Sequence, residues 1–266
     1  MNEIFSEVAT HQTLGRVIFQ IGRPQFWRHL ILLLNELLPF ENALVSFNAS
    51  RSIPVVLEEY DADDSATPSP TPLYLSGLYL LDPFWQACQT GLSDGLYRLE
   101  EVAPDLFRQS EYFLKYSRDA VGDDELQLIL NVAPHEVLLL SLGTRKRFTL
   151  DTCGRLTICT PWILALMRQH WLHANAGSVA SVKATDQLQQ TLANFGAHIL
   201  STREMEIAQL ILRGNSSKAI ANTLSISAET VKVHRRHLYS KLGISSQPEL
   251  FSLFLNALST KLGNRS

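Results

Sequence analysis

Apolar residues recur at helical spacing through "RVIFQIGRPQFWRHLILLLNELLPF" (16–40), which predicts a helix broken at Pro24 and stopped at Pro39. Two shorter runs, "ALVSFNA" (43–49) and "VVLEEYD" (55–61), read as strands on either side of a short loop containing Pro54. "DADDSATPSPTP" (61–72) has no apolar period and reads as a solvated loop. In "LDPFWQACQTG" (81–91), Asp82 is placed to cap a helix whose first position is Pro83. "ELQLILNV" (125–132) and "EVLLLSLG" (136–143) predict a hairpin around Ala133-Pro134-His135, and a long helix from about Leu150 to His173 follows. Helix, hairpin, connecting helices, hairpin and helix in that order imply an antiparallel sheet with helices packed on it. The expected class is α+β, with an N-terminal three-layer α/β/α sandwich of the kind that serves as a sensory domain.

Further on the period changes. In residues 200–258, four helices can be marked from their caps alone. Ser201 with Glu204 makes a capping box, and Gly214 ends the helix that follows. Ser216 or Ser217 opens a short second helix running to about Leu224. Ser227 caps a third, which ends at Gly243. Ser246 with Glu249 forms the box of a fourth, with Pro248 in its first turn. Two short helices joined by a tight turn and followed by a longer basic one make a helix-turn-helix inside an all-α four-helix domain. Val231, Leu238 and Leu242 share one face of the third helix, toward Ile220 and Leu224, while Glu229, Lys232, Val233, Arg236 and Ser240 share the other.

Charge sharpens this division. The net charge is −3, yet residues 195–266 hold nine Lys and Arg against four Asp and Glu, and residues 1–194 hold fourteen against twenty-two. A basic tail on an acidic body is the asymmetry expected when only one part meets a polyanion. Between them, "HANAGSVASVKATDQLQQ" (173–190) is poor in large apolar residues and reads as a linker region. The expected division is 1–175 for the sensory domain, 176–198 for the linker and 199–266 for the helix-turn-helix domain. No apolar run approaches the length of a membrane span, and the N-terminus lacks a basic stretch followed by an apolar one, so a cytoplasmic protein without membrane contact is expected. Cys88, Cys153 and Cys159 lack zinc spacing and are expected as buried free thiols.

On the third helix, Lys232 and Arg236 can donate to guanine O6 and N7, and Val233 can touch a thymine methyl. Thr230 and His234 sit where phosphates would lie, and Arg235, Lys218 and Ser227 complete the candidate contacts to double-stranded DNA. The tail resembles the LuxR/NarL-type DNA-binding domain, through "LSTREMEIAQLILRG", "KAIANTLSIS", "TVKVH" and "KLGI". That resemblance implies a homodimer with the third helix in the major groove and the fourth at the dimer contact. Ser217 stands where the family usually has Asn, and Gln247 where it usually has Arg, which weakens one phosphate contact.

Two large groups carry such a tail. Receiver-domain regulators need an acidic cluster after the first strand, a phosphoacceptor Asp and a later Lys; Asp63 and Asp64 lie instead in the Pro- and Ser-rich loop, and no suitable Lys follows a strand. The body resembles instead the sensory domain of the quorum-sensing regulators, an α/β/α sandwich that holds an acyl-homoserine lactone; GAF- and PAS-like sensory domains share the architecture. The resemblance rests on "LYLLDPFWQAC" (78–88), carrying Asp82 and Pro83, with Tyr74 before it and Tyr97 after. The tryptophan usual just ahead of that tyrosine is missing, the sequence there being Ser69, Pro70 and Thr71. Tyr74, Tyr79, Asp82, Phe84, Trp85, Tyr97 and Tyr112 are thus the candidate contacts to a small-molecule signal: aromatic walls with one carboxylate that can accept from a ligand amide or amine. The competing reading is that Asp82 only caps its helix and the aromatics only fill the core.

Catalysis finds no motif. A Gly-rich phosphate loop and a nucleophile elbow are both missing, and His170 and His173, three apart on a helix, have no carboxylate or Cys nearby and read as surface histidines. Neither enzyme nor cofactor is expected. A one-component regulator with a small-molecule signal fits best; the alternative is a DNA-binding regulator controlled by oligomerisation or a protein partner.

Overall fold

The computed structural model describes residues 8–49, 52–63, 68–175, 195–196 and 198–263. The chain forms two compact units that do not follow a single cut. One holds Met1–Pro68, Cys88–Glu101 and Val121–Ala184; the other holds Ser69–Ala87, Val102–Ala120 and Thr185–Ser266. Most of the linker expected at 176–198 lies outside the described residues.

The first unit is built on helices α1 (Val8–Phe19) and α2 (Phe26–Leu37), strands β1 (Asn42–Ala49) and β2 (Val55–Asp61), and the edge strand β3 (Gly95–Arg98), with β4 (Asp124–Ala133), β5 (Glu136–Thr144) and a long helix (Leu150–Ala174). The five strands form an antiparallel sheet ordered β2-β1-β5-β4-β3. Both hairpins form where the strand patterns predict them. His135, at φ 64°, closes the second one. The four-residue β3 is too short for an alternating pattern to announce it.

Strand alternation sorts the sheet into two faces. Ala43, Val45 and Phe47 of β1, Leu126, Leu128 and Leu130 of β4, and Leu138, Leu140 and Leu142 of β5 share one core with Leu30, Leu34 and Leu37 of α2 and Leu156, Ile163 and Met167 of the long helix. The period of 3.6 on the helices and of 2 on the strands meets in that single layer, which is why the element types were legible. Its burial is also where two expectations fail. His170 is not a surface histidine: it is 5% exposed, stacked on Phe26 at 4.1 Å, and its Nδ1 accepts the Gly22 N–H at 3.1 Å. Burial pushes its pKa down to about 4, so the ring is neutral at pH 7. Of the three free cysteines only Cys159 is buried; Cys88 and Cys153 are half-buried.

The second unit contains α3 (Thr71–Leu75), a 3-10 turn (Leu78–Leu81), most of α4 (Pro83–Gln89), the end of α5 (Leu99–Val102), a second 3-10 turn (Phe107–Gln109), a π-helical turn (Phe113–Ser117) and α6 (Arg118–Ala120). The long helix of the first unit being α7, the tail adds α8 (Thr202–Leu212), α9 (Ser217–Leu224), α10 (Ala228–Leu242) and α11 (Gln247–Gly263). Three of the predicted N-caps are present as expected; at the fourth helix Ser246 Oγ accepts the Glu249 N–H at 3.4 Å, but the Glu249 carboxylate accepts the backbone N–H of Ser245 rather than that of Ser246. Ser201 and Glu204 form the reciprocal box, Ser216 accepts from Ala219 N–H, and Ser227 accepts from Thr230 N–H. No helix of the described residues is long and apolar enough to cross a membrane.

Candidate functional site

Helix α10 is held by its apolar face and by its ends. Val231 and Leu238 are fully buried with Ile220 of α9 and Ile207 and Ile211 of α8, and Ala221 is 5% exposed beside them. Near the C-terminal end, Lys241 Nζ donates to Glu204 Oε2 at 2.7 Å, and the same carboxylate oxygen accepts the Ser201 N–H at 2.7 Å. Burial alone would raise the Glu204 pKa. Lys241 and Ser201 outweigh it and hold the carboxyl at about 2. The capping box of α8 and the end of α10 thus share one carboxylate, which fixes the angle at which α10 is presented.

On the outward side Thr230, Lys232, Val233, Arg236 and Ser240 are exposed, Val233 by 46%. Lys232 pairs with Glu229 at 2.7 Å, with both side chains in solvent, a contact worth little and easily exchanged for a phosphate or base edge. His234 is half-buried. Arg235 is half-buried too, reaching Ser217 Oγ of α9 at 3.3 Å and Tyr239 OH at 3.4 Å, so it braces α9 against α10. Ser227 and Thr230 share a hydrogen bond at 2.7 Å at the helix start, and Lys218 is exposed on α9. Gln247 does not face outward freely: its Nε2 donates to the Ile211 carbonyl at 3.4 Å.

The aromatic candidates fall into both units. Tyr74, Tyr79, Asp82, Phe84, Trp85 and Tyr112 belong to the second, and Tyr97, on β3 and bonded to Ser93, to the first. Within the second unit Asp82 does two jobs at once. Its Oδ1 caps α4 by accepting the Phe84 N–H at 2.8 Å, and its Oδ2 accepts the Tyr74 hydroxyl at 2.7 Å. Burial raises the Asp82 pKa, while Tyr74 and the backbone amides of Phe84 and Trp85 pull the other way. Burial, then the Asp82 charge, pushes Tyr74 well above the usual phenol range, and burial takes Tyr79 to about 12. Two carboxylate oxygens offer about four lone-pair sites, so Asp82 keeps capacity for one more donor.

Around this pair Tyr79 meets Trp85 at 5.4 Å and Tyr112 meets Tyr116 at 5.6 Å. Tyr116 lies parallel to Tyr74 at 6.2 Å and was not among the sequence candidates; its place depends on the π-helical turn that carries it, which no local pattern announces. Trp85 Nε1 is buried with no partner among the described residues. A buried, unpaired donor is a costly arrangement for simple core filling.

The same unit ties this segment to the tail. Leu106 N–H donates to the Gly214 carbonyl at 3.1 Å, and Asp105 accepts the Ser216 N–H at 3.0 Å, at the turn between α8 and α9. Gly214 sits at φ +88° with the Phe107 Cα 2.9 Å from where a Cβ would stand, so both the turn and the close approach require glycine.

Comparison with known proteins agrees with this architecture. The family described as GerE, bacterial regulatory proteins, luxR family, matches residues 198–254. A helix-turn-helix transcriptional regulator from the exeN 3' region of Aeromonas salmonicida is 38% identical over 188 residues, which is 67% of this chain and 95% of that protein. The oxygen regulatory protein NreC of Staphylococcus aureus is 50% identical over 145 residues, 54% of this chain and 57% of NreC, so the chain spans little more than half of that relative. Among solved structures, the VqsR LBD domain of Pseudomonas aeruginosa superposes with a TM-score of 0.57 at 29% identity, covering 63% of this chain and 99% of that one. With the tail matched by the family and the Aeromonas regulator covered almost end to end, the chain belongs to the luxR family of bacterial regulatory proteins.

Proposed function

We propose that this transcriptional regulator is a one-component switch: residues 1–175 bind a small-molecule signal, 176–198 connect, and 199–266 bind double-stranded DNA as a homodimer in the cytoplasm. The observation that carries the reading is α10, whose apolar face is fully buried while Lys232, Val233 and Arg236 stand exposed on the other. An exposed basic stripe with one apolar residue, on the second helix of a helix-turn-helix, suits a major groove. Lys232 and Arg236 read base edges, Val233 touches a thymine methyl, Thr230, His234 and Lys218 meet phosphates, and Ser227 and Arg235 support the helix from its start and its inner side.

Signal binding rests on the Asp82–Tyr74 pair with its aromatic surroundings, and on the likeness of the body to a domain named for ligand binding. Its output has a route, because the segment Asp105–Ser110 touches the α8–α9 turn through Leu106 and Asp105. Homodimer formation is supported by the outer side of α7, where Leu150, Ile158 and Leu172 are 82, 53 and 58% exposed at helical spacing with Gly154, Pro161 and Ala165 between them.

The test is selection of bound duplexes from a random pool by the full-length protein, followed by anisotropy titrations with the enriched site, with and without each member of a metabolite panel that includes acyl-homoserine lactones. A panel member that both raises the melting midpoint and changes DNA affinity supports the switch. An enriched site bound identically in the presence of every compound favours control by oligomerisation or a protein partner, and failure to enrich any site refutes the DNA-binding reading.

A further inference from the structure

Helix α1 buries Thr10, Thr13 and Val17 and turns two other rows outward. Gln12, Arg16 and Gln20 stand four apart on one row, and Gly15 and Phe19 four apart on the next. These five and His29 of α2 line a cleft of about 460 Å³, within the usual range of small-molecule sites. Gly15 keeps it open, because nothing stands within 4 Å of where a Cβ would be. None of the lining residues is acidic. From Val8 to Asn35 the sequence has Arg16, Arg23 and Arg28 and no Asp or Glu, in a body that is acidic as a whole. Glu36, the one acid of α2, is bonded to Thr13 on the buried side of α1.

The neighbouring arginines are already engaged: Arg28 has Glu58 at 3.9 Å, and Arg23 lies over the Phe19 ring at 3.9 Å. The side chains of Arg16, Gln12 and Gln20 form no hydrogen bond or ion pair among the described residues. A guanidinium fork without a carboxylate beside it matches the oxygens of a phosphate, and two carboxamides supply further donors. Phe19 remains 62% exposed under Arg23, which leaves ring surface for a second flat group to stack on. His29 Nδ1 donates to the Gln25 carbonyl at 2.9 Å, so Nε2 of the neutral ring is an acceptor for a hydroxyl or amino group. A bare phosphate ion is far smaller than the cleft. We propose that the cleft binds an organic phosphate of mononucleotide size, with the phosphate on Arg16, Gln12 and Gln20, a heteroaromatic ring over Gly15 against Phe19, and a hydroxyl or amino group on His29. The Asp82–Tyr74 pair belongs to the second unit, so this is a second small-molecule site and does not depend on the first.

Calorimetric titration of the full-length protein with AMP, adenosine and ribose 5-phosphate tests it: AMP carries both groups, adenosine lacks the phosphate and ribose 5-phosphate lacks the ring. AMP should bind at least tenfold tighter than either. Arg16→Ala should bring AMP to within threefold of adenosine, and Phe19→Ala should bring it to within threefold of ribose 5-phosphate. Without nucleotide, Arg16→Ala should melt as the parent does and bind the selected duplex equally well, because its side chain has no partner to lose. Equal affinity for the three probes, no binding of AMP at millimolar concentration, or an AMP affinity unchanged by Arg16→Ala would overturn the inference, the last by placing the phosphate on another basic surface such as α10.

Discussion

Glu204 joins the start of α8 to the end of α10, and the strength of that junction can be worked from its contacts. Its side chain is 4% exposed and accepts from the Ser201 N–H, the Ser201 hydroxyl and Lys241 Nζ, at 2.7, 2.8 and 2.7 Å. A charge-assisted hydrogen bond contributes roughly 1.5–3 kcal/mol. Because the Lys241 side chain is 45% exposed, solvent screening reduces the ion pair to about 1–2 kcal/mol. Loss of the carboxylate's bonds to Ser201, the reciprocal half of the capping box, adds about 1 kcal/mol. Glu204→Ala should therefore cost about 2–3 kcal/mol and Lys241→Met about 1–2 kcal/mol, while a cycle of Glu204→Gln and Lys241→Met isolates the coupling. The pH dependence has a definite sign. The folded carboxyl titrates at about 2 against an ordinary value of 4.5, so its stabilisation is complete above pH 4.5 and is lost as pH falls from there toward 2. Urea titrations of the full chain, followed by helical circular dichroism and repeated between pH 7 and pH 2.5, provide both numbers. A coupling energy under about 0.3 kcal/mol, or an acid-limb slope unchanged by Lys241→Met, would refute the reasoning.

Lys232→Ala and Arg236→Ala should each weaken binding to the selected duplex by roughly 1–3 kcal/mol and leave the melting midpoint unchanged, as anisotropy and calorimetry would read. Arg235→Ala should instead lower the midpoint, since that side chain bridges Ser217 and Tyr239 rather than standing free. His170 is held neutral by burial with a pKa of about 4, so stability should fall as pH drops from about 6.5 to 4, where the unfolded chain takes up a proton and the folded one does not; NMR titration of the ring near 6.5 would contradict this. Gly214→Ala forces a side chain into a left-handed φ and against Phe107, and should destabilise the second unit by more than about 1 kcal/mol in urea titration.

The caps of the first three tail helices were legible because each is a contact between residues three apart: Ser201 with Glu204, Ser216 with Ala219 and Ser227 with Thr230 close within the segment that encodes them. Both hairpins and the two faces of α10 were legible for a related reason, since the periods of 2 and 3.6 are properties of local geometry. What local spacing cannot express is which segment a side chain meets across the fold. Position alone made His170 a surface residue, and tertiary packing buried it against Phe26; the Ser217 and Tyr239 partners of Arg235 were equally invisible to local spacing. The same holds for Tyr116, for the second capping partner of Glu204 on a helix 37 residues away, and for the row that brings Gln127 beside Tyr97. Element types and the basic recognition face were thus determined by the sequence itself, through short-range hydrogen bonds and periodicity. The partners of each buried polar group were decided only by the tertiary structure, because pairing a desolvated group is a long-range requirement that many local sequences can meet.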